Sequence, residues 1–108
     1  GGAIIPGLAL WSDALATRTA QLPRVTARRP LHALGRSPVE AISSGLYHGH
    51  LGALSALTWE ISREAFGQHA PFIVVGTGGG ASLFCREELF THIEPSLVLQ
   101  GLLTFALA

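Results

Sequence analysis

No lysine and no methionine occur among the 108 residues, and cysteine and aspartate occur once each. Each absence excludes something. Without lysine there is no Schiff-base chemistry and no lysine-bearing phosphate loop. Without methionine there is no initiator, and the opening Gly1-Gly2-Ala3-Ile4-Ile5-Pro6-Gly7 reads as mid-domain text, so the chain is expected to be a piece of a longer protein. Cys85 stands alone, which excludes an internal disulfide and a cysteine zinc site; it is predicted to be a packed thiol in a reducing compartment. Formal net charge is zero, so the composition advertises neither nucleic acid nor a membrane surface as partner. Apolar runs are interrupted well before the roughly 18 residues that a membrane span needs. The opening also lacks the basic stretch and small-residue cleavage site of a secretory leader, and a cytoplasmic location is the expectation. What is present, 48% hydrophobic and 13% charged residues, is the balance of one small folded domain.

The punctuation divides the chain. A helix is predicted from Pro6-Gly7 to about Leu22, where Pro23 stops it, with Leu8, Trp11, Leu15, Thr19 and Leu22 on one face and Asp13 on the polar side. Residues 23–36 read as an arginine-rich loop bounded by prolines. Arginines of this kind can hold a phosphate, but a solvated connector is the first reading. Ser37-Pro38-Val39-Glu40 forms a capping box with proline at the first helical position, so a second helix should run to about Phe66 and stop at Gly67. Ala41, Gly45, Gly49, Gly52 and Ala56 fall within roughly 80° of arc on that helix. Three helical glycines cost on the order of 3 kcal/mol relative to alanine, which close approach by another helix, within the domain or across a subunit interface, would offset. His48 and His50 point to nearly opposite sides, a poor arrangement for a metal.

Phe72-Ile73-Val74-Val75 has the continuous apolar character of a buried parallel strand. Ala3-Ile4-Ile5 and Thr91-His92-Ile93 are the other strand candidates, a short helix is expected from Ala81 to Leu89, and a terminal helix from Leu97 to about Ala106. Two features carry chemistry. The strand runs into Gly76-Thr77-Gly78-Gly79-Gly80, either a tight turn or a place where backbone lies close to a ligand. Thr19 puts a hydroxyl on an apolar face; it either bonds the Leu15 carbonyl one turn back or touches a ligand.

With these elements placed, the chain resembles the C-terminal half of type III pantothenate kinases, ATP-dependent enzymes of coenzyme A synthesis. The resemblance runs through Gly1 to Gly7, Arg18-Thr19-Ala20-Gln21-Leu22-Pro23, Leu34 to Ile42, Ser44-Gly45, Gly49, Gly52, Thr77-Gly78-Gly79 and Pro95 to Leu102. It implies an α/β fold, the helix-rich C-terminal half of an actin-like, ribonuclease-H-like kinase with its sheet incomplete here. It places Gly78 and Gly79 beside the adenosine of ATP and Thr19 against pantothenate near a subunit interface. It also implies a homodimer paired through the helices of this half. The family's catalytic aspartate and both phosphate loops would precede Gly1, as would most ligands of Mg²⁺ and of a monovalent cation, K⁺ or NH₄⁺. This chain would then hold no catalytic or metal-binding residue of its own and would be inactive alone. A regulator of the Bvg accessory factor group and a helical dimerisation module are the alternative readings.

Overall fold

The computed structural model describes all 108 residues, which divide into two units, Gly1–His69 and Ala70–Ala108. The first is built on α1 (Leu8–Arg18) and α2 (Pro38–Phe66). Helix α1 ends four residues before the predicted stop. Thr19 already has extended backbone, φ −121° and ψ 145°, because the chain must turn there to bring Leu22 back onto the core. That core consists of Val25, Ile42 and Leu46, with Leu8, Trp11, Leu15, Leu22 and Ala27 packed against it. The predicted stripe is thus present, except that Thr19 is exposed.

Helix α2 has the predicted bounds. The Ser37 hydroxyl accepts the Glu40 N–H at 3.2 Å, and the Glu40 carboxylate reaches back to the Arg36 N–H at 2.7 Å, one residue further than the usual capping box. At the other end Gly67 adopts φ 92° and its N–H bonds the Arg63 carbonyl at 3.0 Å, a conformation that glycine enters without a Cβ penalty.

The segment between the helices is no free connector. Ser12, buried on α1, donates to the Val25 carbonyl and accepts the Val25 N–H at 3.3 Å. Ser43 and Ser44, buried on α2, donate to the carbonyls of Arg28, at 3.5 Å, and Ala33. A Cβ on Gly35 would collide with the Ala41 backbone nitrogen, so only glycine lets the loop lie against the first turn of α2.

The second unit has one small parallel sheet, β1 (Val75–Gly76) beside β2 (His92–Ile93), with Val75 opposite His92 and Gly76 opposite Ile93. The pairing extends by one residue through Thr91, whose N–H donates to the Val74 carbonyl at 2.8 Å and whose hydroxyl accepts the Val74 N–H at 2.9 Å. The strand predicted at Phe72–Val75 is therefore shorter and shifted toward the turn. It is also not buried: Phe72, Ile73 and Val75 are exposed, Ile73 by 74%, because a two-stranded ribbon leaves one edge and much of both faces uncovered. Ala3-Ile4-Ile5 forms no strand. A single 3₁₀ turn, Ala81–Phe84, replaces the short helix expected there, and Cys85 after it is exposed rather than packed. The chain closes with α3 (Leu97–Leu107). Before it, the Ser96 hydroxyl and N–H donate to the Glu94 carboxylate at 2.7 and 3.1 Å. The architecture is mixed α/β and rich in helix.

Candidate functional site

Strand β1 delivers the chain to the glycine turn. At Gly76 a Cβ would meet the Phe90 ring at 2.9 Å, so the absence of a side chain there is a packing requirement. Gly78 has φ 86°, the left-handed region that disfavours any Cβ. At Gly78, Gly79 and Gly80 no atom beyond the adjoining residues lies within 4 Å of where a Cβ would stand. The turn therefore separates into a packed glycine that holds the strand and exposed glycines beyond it. Backbone as bare as this permits close approach by a flat base or a sugar.

Thr19 is the C-cap of α1 and belongs to the other unit. Its hydroxyl donates to the Leu15 carbonyl, which is the plainer of the two sequence readings, and Thr17 makes the same bond to Asp13 at 2.8 Å. A hydroxyl has one proton and two acceptor positions. The bond to Leu15 thus uses the donor of Thr19 and leaves its oxygen able to accept from a ligand. Asp13, on the solvent side as expected, pairs with Arg24.

On α2 the small-residue stripe is real and open. Ala41, Gly45, Gly49, Gly52 and Ala56 are all exposed, and added Cβ atoms at Gly45 and Gly52 would meet nothing within 4 Å. Only at Gly49 is there a neighbour, the Trp11 ring at 3.3 Å. The histidines diverge: His48 is exposed edge-on to Tyr47, while His50 is buried edge-on to Trp11 at 5.4 Å, and burial lowers its pKa. No three His, Cys, Asp or Glu side chains are grouped so as to hold a metal ion. No helix is long and apolar enough to cross a membrane.

Sequence reasoning missed the buried serines. Ser12, Ser43 and Ser44 look like ordinary helix residues, and the one available signal was their place on faces otherwise occupied by Leu and Ile.

The same sequence pattern recurs in known proteins. A family model of type III pantothenate kinases matches residues 1–60, more than half of the chain. The chain belongs to the type III pantothenate kinase family. It is 47% identical over 102 residues to the type III pantothenate kinase of Legionella pneumophila (strain Corby), and 42% identical over 102 residues to type III pantothenate kinase 1 of Francisella tularensis subsp. holarctica (strain OSU18). Each alignment covers 94% of this chain and 40% of the relative. The chain thus spans about two fifths of the length of the kinases it matches.

Proposed function

We propose that these residues form the nucleoside-side wall, a pantothenate contact and the pairing surface of an enzyme that transfers the γ-phosphoryl group of ATP to pantothenate. In that reaction the substrate hydroxyl oxygen bonds to the γ-phosphorus as the bond to ADP breaks. The product is 4'-phosphopantothenate, in the first step of coenzyme A synthesis, carried out in the cytoplasm. The observation that carries this reading is family membership across nearly the whole chain. The actin-like fold of the complete protein belongs to the same reading.

The roles follow from local chemistry. Gly78 and Gly79 offer bare backbone to adenosine, and Thr19 offers an acceptor oxygen to pantothenate near a second subunit. The open stripe on α2 lets two copies approach closely. Catalysis of phosphoryl transfer is mainly positioning and charge stabilisation. The acidic groups, phosphate loops, Mg²⁺ and K⁺ or NH₄⁺ would be handled by residues outside these 108, and the chain alone would not turn over.

The test is ADP formation by the full-length protein with ATP, Mg²⁺ and pantothenate; absence of pantothenate-dependent ADP would sink the activity. Within an active enzyme, Thr19→Val should raise the KM for pantothenate roughly two- to tenfold, the worth of one hydrogen bond, and leave the KM for ATP alone. Equal KM values in both proteins would remove Thr19 from the site. Gly52→Leu adds bulk where the single chain has open space. It should therefore halve the particle mass in light scattering without lowering the melting temperature of the subunit, and an unchanged mass would place the stripe outside any interface.

A further inference from the structure

The glycine turn is anchored at both ends and is bare backbone in between. Where the chain leaves β1, Gly76 is buried, and its carbonyl accepts the Glu94 N–H at 2.8 Å. A Cβ on Gly76 would stand 2.9 Å from Cγ of Phe90 and 3.0 Å from both Cδ1 and Cδ2. Near-equal distances to these three atoms put that point over the flat face of the ring, so Gly76 lies stacked on Phe90. At the far end Ala81 is buried, its N–H bonds the Gly78 carbonyl at 3.3 Å, and the Leu83 N–H bonds the Gly80 carbonyl at 3.2 Å. Phe84, which closes that 3₁₀ turn, is 2% exposed.

Between these anchors run Thr77, Gly78, Gly79 and Gly80, all exposed. Glycine has the widest backbone freedom of any residue, and a Cβ at 78, 79 or 80 would have no neighbour beyond the adjoining residues. The glycines therefore do not fix their own course; their direction is set where the turn is anchored. Hydrogen bonds to β2 hold Gly76 within the plane of the sheet, and the Phe90 ring holds it from one face, the direction in which strand side chains stand. This ring contact is made two residues before Gly78.

Resting on the placement of Gly78 and Gly79 against adenosine, we infer that Phe90 is a positioning residue for ATP: its ring fixes Gly76 and, through Gly76, the course of the exposed glycines. A turn already held in its bound course loses less entropy when the base arrives. One released at Gly76 must be ordered by the ligand and binds it more weakly. Phe90 touches no reacting atom in this scheme, and pantothenate binding should not sense it.

The test is calorimetric titration of the full-length protein with ATP and, separately, with pantothenate. Phe90→Leu replaces the flat face with a tetrahedral branch; it should weaken ATP about three- to tenfold through lost preorganisation and shift pantothenate by less than about twofold. Phe90→Tyr keeps the ring face and carries its hydroxyl at the para position, away from Gly76, so it should restore the affinity that Phe90→Leu loses. Gly76→Ala should weaken ATP as well, and Gly76→Ala combined with Phe90→Leu should be no weaker than the worse single variant, because both changes break one contact. Melting temperatures confirm folding; if Phe90→Leu does not fold, Phe90→Met fills the space without a flat face and takes its place. Unchanged ATP affinity in Phe90→Leu, equal losses for ATP and pantothenate, or effects that multiply in the double variant would each overturn the role of Phe90. Gly79→Val puts bulk on open backbone and separates this role from the nucleoside wall. If Gly79→Val weakens ATP and Phe90→Leu does not, only the role of Phe90 falls; if Gly79→Val leaves ATP unaltered, the wall falls and the role of Phe90 with it.

Discussion

Residues 1–69 and 70–108 treat their apolar side chains in opposite ways. The first unit buries Val25, Ile42, Leu46 and Tyr47 and packs five further apolar residues onto its core. The second buries only Ala81 and Phe84 among its hydrophobic residues, and α3 contains no buried residue at all. Both units contain helix, so helix formation is not what separates them. Helix α2 alternates: Ile42, Leu46, Tyr47 and His50 face inward, and Gly45 and Gly52 face solvent. Helix α3, Leu97-Val98-Leu99-Gln100-Gly101-Leu102-Leu103-Thr104-Phe105-Ala106-Leu107, is apolar nearly all round, the composition of a helix covered on several sides, yet Phe105 is 83% exposed. The first unit supplies its own cover through three serine clamps and a returning loop. The second has a two-stranded ribbon with nothing comparable.

The contrast is most easily broken by truncation. Leu46 is 1% exposed and Leu102 is 60% exposed. Leu46→Ala should cost about 2–5 kcal/mol in denaturant unfolding of the 108-residue chain, and Leu102→Ala should stay within about 0.5 kcal/mol. Equal costs would mean that α3 is covered in solution. Next in size is Gly76→Ala, at a tightly packed place in the second unit. The Phe90 ring would have to move as a body, at about 1–3 kcal/mol, and loss of amide protection at Thr91 and Glu94 in hydrogen exchange would report it. An unchanged protection pattern would show that the ring yields freely.

Gly45→Ala and Gly52→Ala act in the other direction. Both positions are open, so each should stabilise the isolated chain by about 1 kcal/mol through helix propensity, visible as a raised melting temperature. A loss of stability would show that something already occupies the stripe. The smallest effect is that of pH. Burial holds the His50 pKa below its ordinary 6.5, so the unfolded state binds the proton more readily. Stability is full above about pH 6.5 and falls as pH drops below it. The Ser96 hydroxyl and then its N–H lower the Glu94 pKa from 4.5, so that contribution is present above pH 4.5 and is lost only at more acidic pH. Acid should therefore weaken the first unit before the second. His50→Phe keeps the ring against Trp11 and should abolish the loss of stability that begins below about pH 6.5 in a series of thermal melts; its persistence would assign that loss to another group.

The sequence determined what depends on near neighbours along the chain. The Ser37 cap, Pro38, the Gly67 stop and both ends of α2 were legible, because capping is decided by residues three or four apart. So were the Leu8, Trp11, Leu15 and Leu22 face, the small-residue stripe of α2, the strand at His92 and the family, whose signature is an ordered set of such local features. Tertiary structure decided what depends on residues distant in sequence. Helix α1 stops at Arg18 because Leu22 and Val25 must return to the core, and that early stop puts Thr19 in solvent. Residues 23–36 are pinned against the two helices because Ser12, Ser43 and Ser44 satisfy backbone groups 11 to 15 residues away. The strand shortens toward Val75–Gly76 because pairing requires a partner, and the second strand offers only His92 and Ile93 with Thr91 beside Val74. A buried backbone group must find a hydrogen bond somewhere, and the partner it finds is set by packing in three dimensions.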